Sequence, residues 1–337
     1  RLGRSEFRIS AISFGCMSLG DREEEAARVV HRALDLGINF FDTADLYDRG
    51  LNEERVGRIL RGRRDRVILA TKVGNQWHPD GSGWDWNPRS AYIIKAVEDS
   101  LTRLQTDRID LYQLHGGTIH DPIDETIGAF ERLQQQGKIL SYGLSSIRPD
   151  VIREYVQRSN IVSVMMQYSL LDRRPEESCL ELLRNAGIGV LVRGVIAKGL
   201  LAGKPAASYL SYTAAEVEKA AEAVRAVSSP GMGMNGPGSG FRPGTGDQSN
   251  FGPINKSKQG ADIVSGVGSG AGGPRGVPQT AIRFVLHHPA VTSVVVGLRT
   301  MDQVEEAVRT IEADPLTEEE MARLRGAVPV DRYEEHR

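Results

Sequence analysis

The feature that most constrains the fold is a regular alternation of short β-branched runs and amphipathic helical patterns along the chain. "AISFGC" (11–16) reads as a strand and "EEEAARVVHRALDLG" as the helix after it, stopped by Gly37. "INFFD" (38–42) is the next strand, and "NEERVGRILRG" its helix, with Asn52 placed as N-cap. The pattern continues through "DRVILATK" (65–72), "IDLYQLH" (109–115), "ILSYGLS" (139–145), "IVSVMMQYS" (161–169), "IGVLVRG" (188–194) and "VTSVVVG" (291–297), with helical stretches between them. Eight strand–helix units imply parallel strands with right-handed crossovers. The expected class is α/β, and 337 residues is a length at which eight units close a (β/α)8 TIM barrel. A doubly wound open sheet is the alternative, but the first strand is followed by "GCMSLGD", which lacks the G-x-G-x-x-G spacing of that fold.

Two segments stand outside the rhythm. "RLGRSEFRIS" (1–10) reads as an N-terminal β-hairpin that plugs the barrel floor. Residues 228–276 are dominated by Gly, Ser and Pro. Such a composition buries too little apolar surface to offset its ordering entropy, so this stretch reads as a mostly disordered insertion within one domain spanning 1–337.

Composition removes several function classes. The 42 basic and 44 acidic residues leave a net charge of −2 without basic blocks, so no nucleic-acid footprint is expected. No apolar run approaches a membrane span. Two cysteines, Cys16 and Cys179, cannot build a disulfide framework, and a cytoplasmic location is the simplest expectation. No signal peptide is read, although the chain begins at Arg1 without a methionine, which leaves targeting open.

In a parallel barrel the functional end is the carboxyl end of the strands. Asp42, Lys72 and His115 close strands two, three and four, and Tyr47 lies in the loop behind Asp42. A buried carboxylate needs a partner, and Lys72 is the nearest cation at that rim. A free tyrosine is a poor proton donor at neutral pH, and an adjacent ammonium favours the phenolate. A tyrosine tuned in this way serves as a general acid, and a neighbouring histidine can orient a carbonyl oxygen. The group that needs both is a carbonyl receiving a hydride and then a proton. Taken singly, each of these residues has an ordinary structural explanation: a cap, an exposed lysine, a satisfied histidine, loop packing. Their joint placement at consecutive strand ends argues for chemistry. No zinc-like spacing accompanies His115 and His120 or His287 and His288, so no metal is expected.

"FDTADLY", "ILATKVG" and "DLYQLHG" resemble, in order, the three catalytic segments of the aldo-keto reductase superfamily, and the resemblance runs from "RLGRSEFRIS" to "VVVGLRTMDQVEEA" outside the Gly-rich stretch. It implies a barrel that reduces small carbonyl substrates with NADPH and no metal, with Tyr47 as acid, Asp42 and Lys72 tuning it, and His115 orienting the carbonyl. It also implies an extended cofactor site. Cys16 and Met17 follow the first strand, and Ser145 and Ser146 in "GLSS" would hold the carboxamide. The family's strand-six glutamine falls on Met165, so Gln167, on the same face, is the candidate substitute. Arg193 stands where an aromatic normally stacks on the nicotinamide, and a guanidinium can also stack. The backbone of Gly194, Val195, Ile196, Ala197 and Lys198 would approach the pyrophosphate. "GLRTMDQVEEA", with Gly297, Arg299, Gln303 and Glu306, resembles the adenosine-phosphate segment, in which Arg299 would pair with the 2′-phosphate. The usual Asn after the glutamate is Ala307, which leaves strict NADPH use open. All three tryptophans, Trp77, Trp84 and Trp86, lie in "NQWHPDGSGWDWN". They either line a pocket for an apolar carbonyl or pack the loop onto the rim. A redox-sensing NADPH-binding accessory protein with little turnover is the alternative function, and an inactive barrel a third. His115 favours turnover. The natural substrate and the oligomeric state are not legible.

Overall fold

The computed structural model describes residues 1–229 and 273–336. Most of the Gly-rich segment lies outside them. Among the described residues, eight parallel strands close a barrel in sequential order: β1 Ile12–Gly15, β2 Phe40–Asp42, β3 Ile68–Val73, β4 Ile109–Leu114, β5 Ile139–Ser145, β6 Ser163–Gln167, β7 Gly189–Arg193 and β8 Val291–Gly297. The ring is completed by pairing of β1 with β8, Gly15 opposite Gly297. Helices cover the outside. A small antiparallel hairpin, Asn75–Trp77 with Trp84–Trp86, rises from the loop after β3.

Two cores result from strand alternation. One lies between strands and helices and includes Phe14, Phe41, Leu69, Tyr112 and Leu144. The other fills the barrel: Phe40, Ala70, Leu111, Met165, Leu191 and Val295, with Leu2 and Ile9 from the N-terminal segment. Side chains two positions apart share a face. The residues two places further along these strands therefore form the next layer toward the carboxyl end, roughly 6.6 Å higher. That layer is Asp42, Lys72, Gln113, Gln167, Arg193 and Gly297. An apolar plug thus sits directly beneath a polar floor.

Two expectations are corrected in detail. Residues 1–10 form no strand ladder. They reverse through a turn closed by the Leu2 N–H donating to the Phe7 carbonyl (2.8 Å), and Leu2 and Ile9 still fill the barrel floor. Asn52 is not an N-cap. The helix Leu51–Ile59 starts after Gly50, and Asn52 is fully buried inside it. Its side chain accepts from Thr43 Oγ1 (2.7 Å) and donates to the Cys16 carbonyl (2.9 Å), tying the ends of β1 and β2 together.

Candidate active site

Lys72 is the hub of the site. Its ammonium carries three protons and donates to three oxygens: Asp42 Oδ2 at 2.6 Å, the Thr43 carbonyl at 2.7 Å and Tyr47 Oη at 3.2 Å. The Lys72 side chain is 1% exposed and that of Asp42 5%. The second Asp42 oxygen accepts from Gln113 Nε2 (3.1 Å), so the carboxylate is hydrogen-bonded on both sides. Burial works against the Lys72 ammonium, but Asp42 and Tyr47 outweigh it and hold its pKa above the ordinary lysine value. Burial lifts Asp42 above the usual carboxylate range, against the pull of Lys72 and Gln113. We read the pair as ionised, because three acceptors surround the ammonium and two donors meet the carboxylate.

Because Lys72 donates to Tyr47, the phenolic proton is not consumed in that bond. It remains available to an acceptor above the floor. The Tyr47 and His115 rings lie 6.0 Å apart, edge to face. Burial, then the charges of Lys72 and Arg193, pushes the His115 pKa down to about 3, so its imidazole is neutral at working pH. A neutral imidazole donates through one nitrogen and accepts at the other. Its Nδ1 is buried and lacks a hydrogen-bond partner among the described residues.

The turn carrying Tyr47 is held from both sides. Asp48 and Arg49 adopt left-handed φ values of 50° and 57°, uncommon for residues with a side chain. Trp77 Nε1 donates to the Leu46 carbonyl (3.3 Å), and Arg49 stacks over the Trp77 ring and donates to the Gly81 carbonyl (2.9 Å). The hairpin is thereby fastened to the Tyr47 turn. Trp86 Nε1 donates to Asp121 (3.0 Å) and fastens its other arm. Trp84 alone of the three tryptophans is exposed, at 48%.

Behind the turn lies a buried cluster not anticipated from the sequence. Glu53 is fully buried and accepts from Thr71 Oγ1 (2.5 Å), Arg103 Nε (2.7 Å) and Ser100 Oγ (3.2 Å). Asp45 receives the Tyr92 hydroxyl (3.3 Å), and its backbone N–H donates to the Lys72 carbonyl (3.3 Å). Burial, reinforced by the charge of Glu53, lifts the Asp45 carboxyl to about 8. Gln113 was also missed, although it lies two residues before His115 on the same strand face and alternation alone would have flagged it.

The remaining candidate residues lie along the same rim. Ser145 and Ser146 lie at the end of β5, and Gln167 and Arg193 are register partners at the ends of β6 and β7. The segment after β7 turns through left-handed Gly194, Ala197 and Lys198, with φ of 73°, 46° and 58°. Within this turn the Ala197 N–H donates to the Gly194 carbonyl and the Gly199 N–H to the Ile196 carbonyl, each at 2.9 Å. Val195 and Ala197 are buried. Arg299 is exposed and its guanidinium makes no ion pair among the described residues. Its backbone N–H donates to Gln303 Oε1 (2.8 Å) just before the helix Met301–Arg309. Glu306 is half-buried and raised by burial, and Ala307 packs in the outer core. Met165 lies in the inner apolar layer, one step below Gln167. The Cys16 thiol is fully buried and pushed up by that burial, whereas Met17 is 65% exposed.

A sequence model of the aldo/keto reductase family matches residues 11–329. The chain belongs to the aldo/keto reductase family. Among relatives within it, an uncharacterised oxidoreductase of Bacillus subtilis, YqkF, is 44% identical over 346 aligned positions, covering 100% of this chain and 98% of its own. The aldo-keto reductase yakc [NADP(+)] of Schizosaccharomyces pombe is 36% identical over 205 positions, covering 58% of this chain and 60% of its own. Among solved structures, the holo form of the aldo-keto reductase AKR11C1 from Bacillus halodurans superposes with a TM-score of 0.82 at 44% identity, covering 100% of this chain and 98% of that one. By family, the chain is thus an oxidoreductase.

Proposed function

We propose that the protein reduces an aldehyde or ketone to the alcohol with NADPH, the proton coming from Tyr47. The observation that carries this reading is the Lys72 Nζ–H donated to Tyr47 Oη, which leaves the phenolic proton free for another acceptor, with the neutral His115 ring 6.0 Å from that of Tyr47. NADPH, when bound, supplies the hydride. The chain does the rest. His115 hydrogen-bonds the carbonyl oxygen and holds it beside Tyr47. Tyr47 transfers its proton to that oxygen as negative charge develops there, and the Lys72 ammonium stabilises the phenolate left behind. Asp42 keeps the ammonium charged and aimed, with Gln113 fixing Asp42.

On this reading Ser145, Ser146 and Arg193 hold the nicotinamide end, the Gly194–Lys198 turn the pyrophosphate, and Arg299 the 2′-phosphate. A relative named for NADP(+) supports the choice of cofactor. The exposed Trp84 supports an apolar or aromatic group on the carbonyl substrate. The test is a fluorescence titration with NADPH, followed by a panel of aliphatic and aromatic aldehydes at fixed NADPH. NADPH binding without oxidation by any carbonyl would replace this reading with that of an accessory protein.

A further inference from the structure

Gln167 stands in the polar layer and was expected to touch the cofactor. Its hydrogen bonds assign it elsewhere. Its Nε2 donates to Asp172 Oδ2 (2.9 Å) and to the Tyr209 hydroxyl (3.2 Å), which uses both amide protons. Its Oε1 accepts from Arg193 Nη1 (3.0 Å). The reversed amide would set two donors against the guanidinium and an oxygen against a carboxylate, so only this orientation satisfies all partners.

The anchor behind Gln167 is rigid. Asp172 is 1% exposed and is gripped by Arg174 through Nε and Nη2, both at 2.8 Å. Its backbone pairs in both directions with Ser169, each bond 3.1 Å. Tyr209 is buried and pairs in the same manner with Tyr212, each bond 3.0 Å. Gly194, at φ 73°, lets Gln167 pass close by, since a Cβ there would lie 3.2 Å from Gln167 Cγ.

Arg193 is the opposite case. It is exposed, and among the described residues it forms no ion pair and makes one side-chain hydrogen bond, to Gln167. A long side chain held at a single edge keeps its plane but would otherwise sample many rotamers.

We infer that Asp172 and Tyr209, acting through Gln167, position the Arg193 guanidinium before the cofactor arrives. Asp172 and Gln167 are positioning residues, and Gln167 does not itself bind the carboxamide. This rests on the proposed reading that Arg193 packs on the nicotinamide. Ordering Arg193 in the free protein removes that cost from binding.

Equilibrium NADPH binding to the full chain, followed by fluorescence, tests this, with thermal melts to establish that each variant is folded. Arg193→Ala should weaken NADPH about tenfold, and Gln167→Leu should cost a large part of the same factor. The Arg193→Ala/Gln167→Leu double variant should be no weaker than Arg193→Ala, because nothing is left to position. Gln167→Glu sets two carboxylates against each other and should bind poorly. Adding Asp172→Asn supplies an amide donor to that carboxylate and should restore binding to within about threefold of the parent, a recovery that a packing role would not produce. If Arg193→Ala weakens NADPH while Gln167→Leu does not, or if the two losses add in full, the positioning role is overturned. If Arg193→Ala leaves NADPH affinity unchanged, Arg193 does not meet the cofactor and both readings fall. Should the Asp172 variant not fold, the Gln167→Leu comparison decides alone.

Discussion

Asp42 and Lys72 meet at 2.6 Å in a site from which both side chains are almost wholly withdrawn from water. Their partnership answers why a strand of the barrel interior ends on a carboxylate. Neither group is tolerable there alone, since an uncompensated buried charge costs several kcal/mol. Lys72→Met should therefore lose about 3–5 kcal/mol of stability, and the Asp42→Leu/Lys72→Met double variant should recover part of it. Urea unfolding of the parent, Lys72→Met, Asp42→Leu and the double variant measures this. A double variant as unstable as the sum of its singles would mean that the pair is not coupled.

Tyr47→Phe removes the proton but neither the ring nor the Lys72–Asp42 pair. Turnover of a simple aldehyde should fall by about 10²–10⁴-fold while NADPH affinity is retained. Near-parental turnover would take the acid role from Tyr47.

The depressed His115 pKa makes a statement about pH. Its imidazole takes up a proton only near pH 3, whereas in the unfolded chain it does so near 6.5. Between these values the unfolded state binds more protons, so stability falls as pH drops through that window. Turnover, by contrast, should show no ionisation near pH 6.5 assignable to His115. An inflection there that vanishes in His115→Asn would show the imidazole to be an ordinary one.

Asp45 works in the opposite sense. Folded, it keeps its proton up to about 8, whereas unfolded it releases it near pH 4. Across that range the folded state holds more protons, so Asp45 costs stability increasingly as pH rises. Asp45→Asn should match the parent at about pH 4 and exceed it at about pH 8 by a few kcal/mol. Thermal melts at the two pH values decide this, and equal differences at both would show that Asp45 titrates normally.

Arg299→Ala should weaken NADPH more than NADH, because only NADPH carries the 2′-phosphate, and the loss should shrink at high salt. Equal losses for both cofactors would free Arg299 of that role.

The ends of the Gly-rich segment are joined: the Ser229 N–H donates to the Arg275 carbonyl at 3.0 Å. Arg275 in turn donates to the carbonyls of Val227, Asp314 and Pro315. Replacing residues 230–274 by a short Gly-Ser link should leave melting temperature, NADPH affinity and small-aldehyde turnover nearly unchanged, since loop length changes closure entropy only slowly. Loss of folding would mean that the segment supplies packing.

Much of the site was legible because strands are periodic. Asp42, Lys72 and His115 end successive strands, and a parallel barrel must bring such ends together. The same period placed Gln167 and Met165 on one face and would have added Gln113. Asn52 was misread because a polar residue before a helical run looks like a cap. Only the packing of its helix against β1 and β2 shows that it is buried.

By itself the sequence determined the order and face of the residues in the barrel, since alternation and turn signals act locally along the chain. It also determined that an apolar layer lies beneath the polar one. Tertiary structure alone decided which polar groups lose water and what faces them there. The neutrality of His115, the proton kept by Asp45, and the use of the Gln167 amide by Asp172, Tyr209 and Arg193 all depend on neighbours distant in sequence. Desolvation and hydrogen-bond geometry are set by distances of a few ångströms between such neighbours, and a linear order of residues does not contain those distances.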